Sequence, residues 1–256
     1  MRRVHLFEFE DQPWCPAILR NALTAYLRFV VTLTRQTRPV VPALADLLRS
    51  SGESQIVDLC SGSGAIARHL RSALAEQGTG VRLVLTDLYP DVDAMRAAAD
   101  ASGGAIEART VPLDATAVPA DLPGVRTIFN AFHHFAPAQA GRVLAAAAEA
   151  GRPMAVVEFL DRSPMSLLGV LFSPFLLLAV APFLRPLRWQ VLVLTYLLPV
   201  VPAMVLWDGM VSWLRVYSVR ELEELAASAA VSGYRWRAGR WSSGPFTVTY
   251  LLGQRS

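Results

Sequence analysis

The stretch Ile56-Val57-Asp58-Leu59-Cys60-Ser61-Gly62-Ser63-Gly64 sets a carboxylate directly against a turn of small residues. An apolar run that meets Gly-x-Gly and then a helical pattern commonly wraps its backbone around a ligand. An acid in that bend suits a positively charged ligand and repels a pyrophosphate. Further carboxylates end later apolar runs: Asp87 in Val-Leu-Thr-Asp, Asp114 in Val-Pro-Leu-Asp and Glu158 in Ala-Val-Val-Glu. His133 and His134 are adjacent and also follow an apolar run, where an imidazole titrating near neutral pH can take a proton.

Composition narrows the chemistry. All 24 basic residues are arginine, which excludes amine nucleophiles, Schiff bases and P-loop lysines. The net charge of +3 is spread along the chain, so nucleic acid is not an expected partner. Cys15 and Cys60 form no metal-type or C-x-x-C spacing; no metal and no disulfide framework are expected, and a reducing compartment is the default. The 256 residues fit one large domain with a substantial core. The N-terminus carries two arginines followed by acids, unlike a secretory signal.

Those residues need a scaffold, and the hydrophobic pattern supplies one. Residues 15–49 read as two helices interrupted near Pro39 and Pro42. Then strands and helices alternate, as in parallel α/β folds. The strands are Gln-Ile-Val-Asp-Leu-Cys (55–60), Val-Arg-Leu-Val-Leu-Thr-Asp (81–87), Ala-Arg-Thr-Val-Pro-Leu-Asp (108–114), Val-Arg-Thr-Ile-Phe-Asn-Ala-Phe (125–132) and Pro-Met-Ala-Val-Val-Glu-Phe (153–159). Helices are expected from Ala65 to Gln77, Val92 to Ala101 and Ala138 to Ala150. Near the C-terminus Ser218 and Glu221 form a capping-box signature, and two further strands are joined by Ser-Ser-Gly-Pro as a hairpin. In an open parallel sheet, ligands bind at the carboxyl ends of the strands, where these carboxylates and histidines fall.

From Gln55 to the C-terminus, apart from one insertion, this order of elements and residues resembles the class I S-adenosylmethionine-dependent methyltransferases. Their acid-x-Gly-x-Gly-x-Gly loop is matched by Asp58, Cys60, Gly62 and Gly64, with Cys60 a departure. The resemblance implies that Cys60, Ser61, Gly62, Ser63 and Gly64 cradle the methionine part of S-adenosylmethionine while Asp58 reaches its ammonium group. It further implies that Asp87, beside Leu88, takes the ribose hydroxyls, that Asp114 and Ala115 meet the adenine, and that Asn130 lies beside the cofactor. S-adenosylhomocysteine would be the product. His133 and His134 look like the Leu-His-His that often follows the fourth strand, acting as a base or packing a helix start; Phe129 and Phe132 read as core. Glu158 orients a substrate or pairs with an arginine. A dinucleotide site survives formally, since Gly-Ser-Gly-Ala-Ile-Ala fits G-x-G-x-x-A. Asp58, the missing lysine and the closing hairpin favour the methyltransferase over an NAD(P)-dependent oxidoreductase. A membrane-bound scaffold retaining the fold is the reading from another class.

The insertion is apolar. Residues 164–184 and 189–207 carry no charge, and each approaches the ~20 residues that span a bilayer. Both ends of the insertion must rejoin one sheet, which would leave Arg185-Pro186-Leu187-Arg188 on the far side, against the preference of arginine for the cytoplasmic face. Pro174, Pro182, Pro199 and Pro202 also divide the segments. A monotopic lobe on the cytoplasmic side is therefore favoured over a transmembrane hairpin or a soluble lid. Such a lobe beside the strand ends implies a hydrophobic small-molecule or lipid acceptor. Trp207, Asp208, Trp213, Arg215 and Tyr217 are expected at its entrance or as membrane anchors, and Asp11, Trp14 and Arg20 in a segment that closes over the cofactor or packs on the surface; Trp14, Arg20, Trp207, Asp208 and Tyr217 are the expected substrate contacts. The expected organisation is a helical cover (1–54), a Rossmann-like methyltransferase sheet (55–161 and 214–256) and an apolar lid (162–213).

Overall fold

The computed structural model describes residues 3–185 and 187–256; Met1 and Arg2 of the N-terminal reading, and Pro186 of the turn between the apolar segments, lie outside them. Alternate residues of the apolar runs face opposite ways, as a sheet covered on both sides requires. β1 (Gln55–Leu59), β2 (Arg82–Leu85), β3 (Ile106–Ala108), β4 (Val125–Phe129) and β5 (Met154–Glu158) pair in parallel. β6 (Tyr234–Ser243) and β7 (Phe246–Arg255) add an antiparallel hairpin, giving the order β3-β2-β1-β4-β5-β7-β6. Ile56, Leu83, Val125 and Val157 pack on one face against α2 (Val40–Ser51), α3 (Ala65–Glu76) and α4 (Val92–Asp100). Val57, Val84, Ile128 and Val156 pack on the other against α5 (Pro137–Glu149) and α9 (Val219–Ser228).

Local signals act as expected at α9, where Ser218 Oγ accepts from the Glu221 N–H and the Glu221 carboxylate accepts from the Ser218 N–H. The hairpin turn is tighter than expected. Ser243 pairs with Phe246, leaving Gly244-Pro245 as a two-residue loop with Gly244 at φ +59°. The third strand differs more: it is Ile106–Ala108, and 109–114 is irregular. β2 offers only a short ladder, and Pro112 has no N–H to extend it. Backbone bonds from Arg109 to the Leu85 carbonyl and from Leu113 to the Asp87 carbonyl still hold this segment beside β2.

The apolar insertion folds as α6 (Pro164–Val180), α7 (Trp189–Tyr196) and α8 (Val200–Arg215). It shares a core with α1 (Ala17–Leu33): Leu23 and Tyr26 meet Leu177, Val201, Met204 and Val205. α1 thus packs with the lobe, whereas α2 packs on the sheet. The prolines divide the lobe less than expected. Pro174 sits inside α6, where the Val170 carbonyl that loses its backbone donor accepts from Ser173 Oγ at 2.6 Å. Pro42 and Pro202 lie in first helical turns, where a missing N–H costs little. The break comes at Pro199, where α7 and α8 bend by 77°. α8 then runs unbroken to Arg215, joining the amphipathic stretch around Asp208 to the lobe. Outward, Leu171, Phe172, Phe175, Phe183, Trp189 and Leu197 are exposed.

Candidate active site

After β1 the chain reverses through Cys60, Gly62 and Gly64 at φ +59°, +53° and +68°. A Cβ on Gly64 would lie 2.5 Å from Leu85 Cδ1, so only glycine lets the bend rest on β2. A Cβ on Gly62 would project into open space, the side on which a ligand can approach. Cys60 adopts a left-handed conformation that costs a non-glycine residue about 1–2 kcal/mol. Ser61 N–H donates to the Thr86 carbonyl at 2.9 Å, Ser61 Oγ to the Asp58 carbonyl at 2.8 Å, and Ser63 completes the turn.

Asp87 ties the two loops together. Its Oδ2 accepts from the Gly62 N–H and its Oδ1 from the Tyr89 N–H, each at 2.7 Å. Leu88 beside it is exposed. The Asp114 carboxylate accepts from the Thr116 N–H at 2.8 Å, and Ala115 is buried next to it. Asp58 lies beneath the bend, 3% exposed, where the sheet order reverses between β1 and β4; it accepts from Thr127 Oγ1 at 2.8 Å. Burial pushes its pKa up to about 7, Asp87 adds to this, and hydrogen bonds from Ser61 and Thr127 only partly offset it.

At the end of β4, Asn130 takes φ +52°, and its Oδ1 accepts from the Phe159 N–H at 3.3 Å. The following turn, Phe132–His134, splits the two histidines. His133 is buried against Glu158, which accepts from its N–H at 2.9 Å and engages its Nδ1 at 2.8 Å. Glu158 therefore pairs with a histidine rather than an arginine, and among the described residues none bonds the Nε2 of His133. His134 faces the N-terminal segment, with Nδ1 2.7 Å from Asp11 and 3.0 Å from Glu8. Burial works against the His134 cation, but Glu8 and Asp11 outweigh it and hold its pKa well above the ordinary value. Held between Glu8 and Asp11, the His134 imidazole is favoured in its cationic form, which has no free lone pair to take a proton.

Arg215 completes this buried cluster, 2.7 Å from Asp11 and 3.1 Å from Glu8. Glu8, His133 and His134 bring ligand-type atoms within 4.8 Å of one another. Arg215 already supplies a cation there. Around them the N-terminal segment is stapled down. Arg20 donates to the Glu10 and Gln12 carbonyls, Asp208 accepts from the Phe9 and Glu10 N–H groups, and Trp207 Nε1 donates to the Phe7 carbonyl.

A cavity of about 280 Å³ lies among α1, α6 and α8. Leu23, Tyr26, Val170, Phe172 and Val205 contribute to its apolar wall. Asn130 and His133 bring the carboxyl end of β4 to it, and Glu10 and Asp208 line it as well. Of the residues expected to meet a substrate, Asp208 lines this cavity and Trp14, Arg20, Trp207 and Tyr217 do not. Trp14 is 66% exposed and packs edge-on against Phe9, while Arg20 and Trp207 hold the N-terminal segment. Tyr217 is buried beneath the Arg3 guanidinium, with its hydroxyl donated to the Phe135 carbonyl. Glu10, Tyr26 and Gln36 are lining residues that sequence reasoning missed. The apolar face of α1 was visible, but not the surface that it would meet.

No protein-family model and no curated relative matches the sequence. Solved structures do. The plantazolicin methyltransferase BpumL, in complex with SAH, is similar over 94% of this chain and 88% of its own, with a TM-score of 0.54 at 13% identity. A candidate O-methyltransferase of Nostoc punctiforme is similar over 89% of this chain at a TM-score of 0.50 and 14% identity. Of that protein's length, 59% is covered. The chain has the class I methyltransferase fold. Within that methyltransferase fold, the glycine bend, Asp87 and Asn130 gather at the carboxyl ends of β1, β2 and β4, beside the point where the strand order reverses.

Proposed function

We propose that the protein is an S-adenosylmethionine-dependent methyltransferase acting on an apolar small molecule or lipid at a membrane surface. The observation that carries this reading is the cavity: apolar walls from α1, α6 and α8 converge on Asn130 and His133, at the sheet end that holds the glycine bend. The residues present fit the cofactor. Gly62 leaves its approach open, Asp58 is a buried carboxylate suited to a cationic group, and exposed Leu88 offers an apolar contact beside Asp87. Cys60–Gly64, Asp58, Asp87, Leu88, Asp114, Ala115 and Asn130 would hold it, and when bound it supplies an already activated methyl group. The chain's own contribution is to position an acceptor in a dry site. His133, oriented by Glu158, can take a proton at Nε2 from an acceptor that must lose one.

In this reading residues 55–161 and 214–256 form the cofactor-binding body, 1–54 the cover and 162–213 the acceptor lobe. The exposed side chains of α6 and the α7–α8 corner favour a lobe that dips into one leaflet from the cytoplasmic side. Although Pro164–Phe183 is long and apolar enough to cross a bilayer, α1 packs on it, and Arg28 of α1 donates to the Arg185 carbonyl at 2.6 Å. A spanning hairpin would draw that arginine through the membrane or tear α1 from its core.

The test is thermal unfolding with S-adenosylhomocysteine or NAD, since a tight ligand raises the melting temperature by mass action. S-adenosylhomocysteine should stabilise and NAD should not, and Asp87→Ala should weaken the effective affinity about tenfold or more through the lost hydrogen bonds. Stabilisation by NAD alone refutes the reading. For the membrane, replacing Phe175 and Phe183 by serine should lower liposome binding about tenfold or more, because each buried aromatic side chain contributes about 1.5–3 kcal/mol. Unchanged sedimentation with liposomes would remove the membrane from the proposal.

A further inference from the structure

The cavity walls are apolar, but the charged side chains that line it, Glu10 and Asp208, are both carboxylates. No arginine lines it among the described residues, and the chain has no lysine. The nearby cations are engaged elsewhere: Arg215 with Glu8 and Asp11, Arg20 with the Glu10 and Gln12 carbonyls. His134 reaches Glu10 only at 3.8 Å while its Nδ1 holds Glu8 and Asp11. We infer that the cavity takes a cationic amphiphile, a molecule with an apolar body and an amine head, seated with the head at Glu10 and Asp208.

Charge complementarity supports this class over its neutral and anionic counterparts. Asp208 is 3% exposed and, among the described residues, accepts only backbone N–H groups, from Phe9 and Glu10, so its charge meets dipoles and no opposite charge there. Burial pushes the Glu10 pKa up to about 7 against the pull of His134, with Glu8, Asp208 and Asp11 adding to the rise. Burial likewise lifts Asp208 to about 6, the Phe9 and Glu10 N–H groups opposing it. An ammonium head would relieve both. A carboxylate head would deepen the repulsion, and a hydroxyl would leave it in place. The same carboxylates can take the proton that an ammonium must lose before its nitrogen becomes a nucleophile. Ser212, whose hydroxyl bonds the Asp208 carbonyl at 2.8 Å, adds a neutral polar group at this end.

The inference rests on the cavity being the acceptor site of the proposed methyltransferase, and binding measurements separate the two. Decylamine, 1-decanol and decanoate, each below its micellar concentration, are titrated by calorimetry into the full chain with and without saturating S-adenosylhomocysteine. Decylamine should bind about tenfold or more tightly than either analogue, the expectation for one desolvated charge pair. The Asp208→Asn, Glu10→Gln double variant should lose that preference while keeping its affinity for S-adenosylhomocysteine. Equal or tighter binding of decanol or decanoate, or a preference that survives in the double variant, overturns the inference. It is also overturned if the double variant loses S-adenosylhomocysteine and not decylamine, since the carboxylates would then serve the cofactor's own ammonium. Failure of S-adenosylhomocysteine to bind the wild type refutes the methyltransferase reading instead.

Discussion

Asp58 offers the sharpest quantitative test, because burial makes one side chain both a liability to the fold and an asset to the ligand. Its pKa stands at about 7, against an ordinary 3.8. A shift of roughly three pH units corresponds to about 4 kcal/mol of differential interaction at 1.36 kcal/mol per unit. The sign follows from proton counting. Between those values the folded state holds a proton that the unfolded state has released, so stability falls as pH rises from about 4 to about 7 and stays low above. Asp58→Asn keeps the shape and the Thr127 hydrogen bond but carries no charge. At pH 8 the ligand-free variant should therefore be more stable than the wild type, by up to about 4 kcal/mol in urea denaturation. Ligand binding should move the other way. If the carboxylate meets the ammonium group, it must be ionised to do so. Affinity for S-adenosylhomocysteine should then fall about tenfold per unit as pH drops below 7 and level off above it. Calorimetric titrations from pH 5 to pH 8 should show that slope in the wild type and lose it in Asp58→Asn, which should also bind more weakly at pH 8. A flat wild-type profile below pH 7, or a slope retained in the variant, refutes the assignment. Greater stability with unchanged affinity would leave Asp58 a buried acid with no part in binding.

Further substitutions probe the scaffold around the site. Arg215→Met removes a cation from fully buried Glu8 and from Asp11, and should cost about 3–5 kcal/mol of stability in urea; adding Glu8→Gln should recover part of the loss, and a single variant as stable as the wild type would contradict the buried ion cluster. In the bend, Cys60→Gly should stabilise by about 1 kcal/mol by relieving a left-handed non-glycine residue, whereas Gly64→Ala should destabilise by driving a Cβ into Leu85. Melting temperatures shifting in opposite directions would check both.

What the sequence determined by itself is what depends on near neighbours. The alternation of Ile56 and Val57, or of Val156 and Val157, defines strands buried on both faces, and Asp58, Asp87 and Glu158 fall at their carboxyl ends because each follows such a run directly. Gly62 and Gly64 mark a bend whose left-handed geometry other residues resist, and Ser218 with Glu221 marks a helix start. The third strand was misplaced, since its length depends on how much ladder β2 offers. Only the tertiary structure decided which charge met which. His133 turned inward to Glu158, and His134 turned outward to Glu8 and Asp11, more than a hundred positions away. That difference follows from a backbone turn of a single residue and from an N-terminal segment that could have packed elsewhere. The cavity likewise required α1 to join α6 and α8: an apolar helical face announces that it will be buried, and the partner that buries it is set by the summed fit of surfaces far apart in the chain.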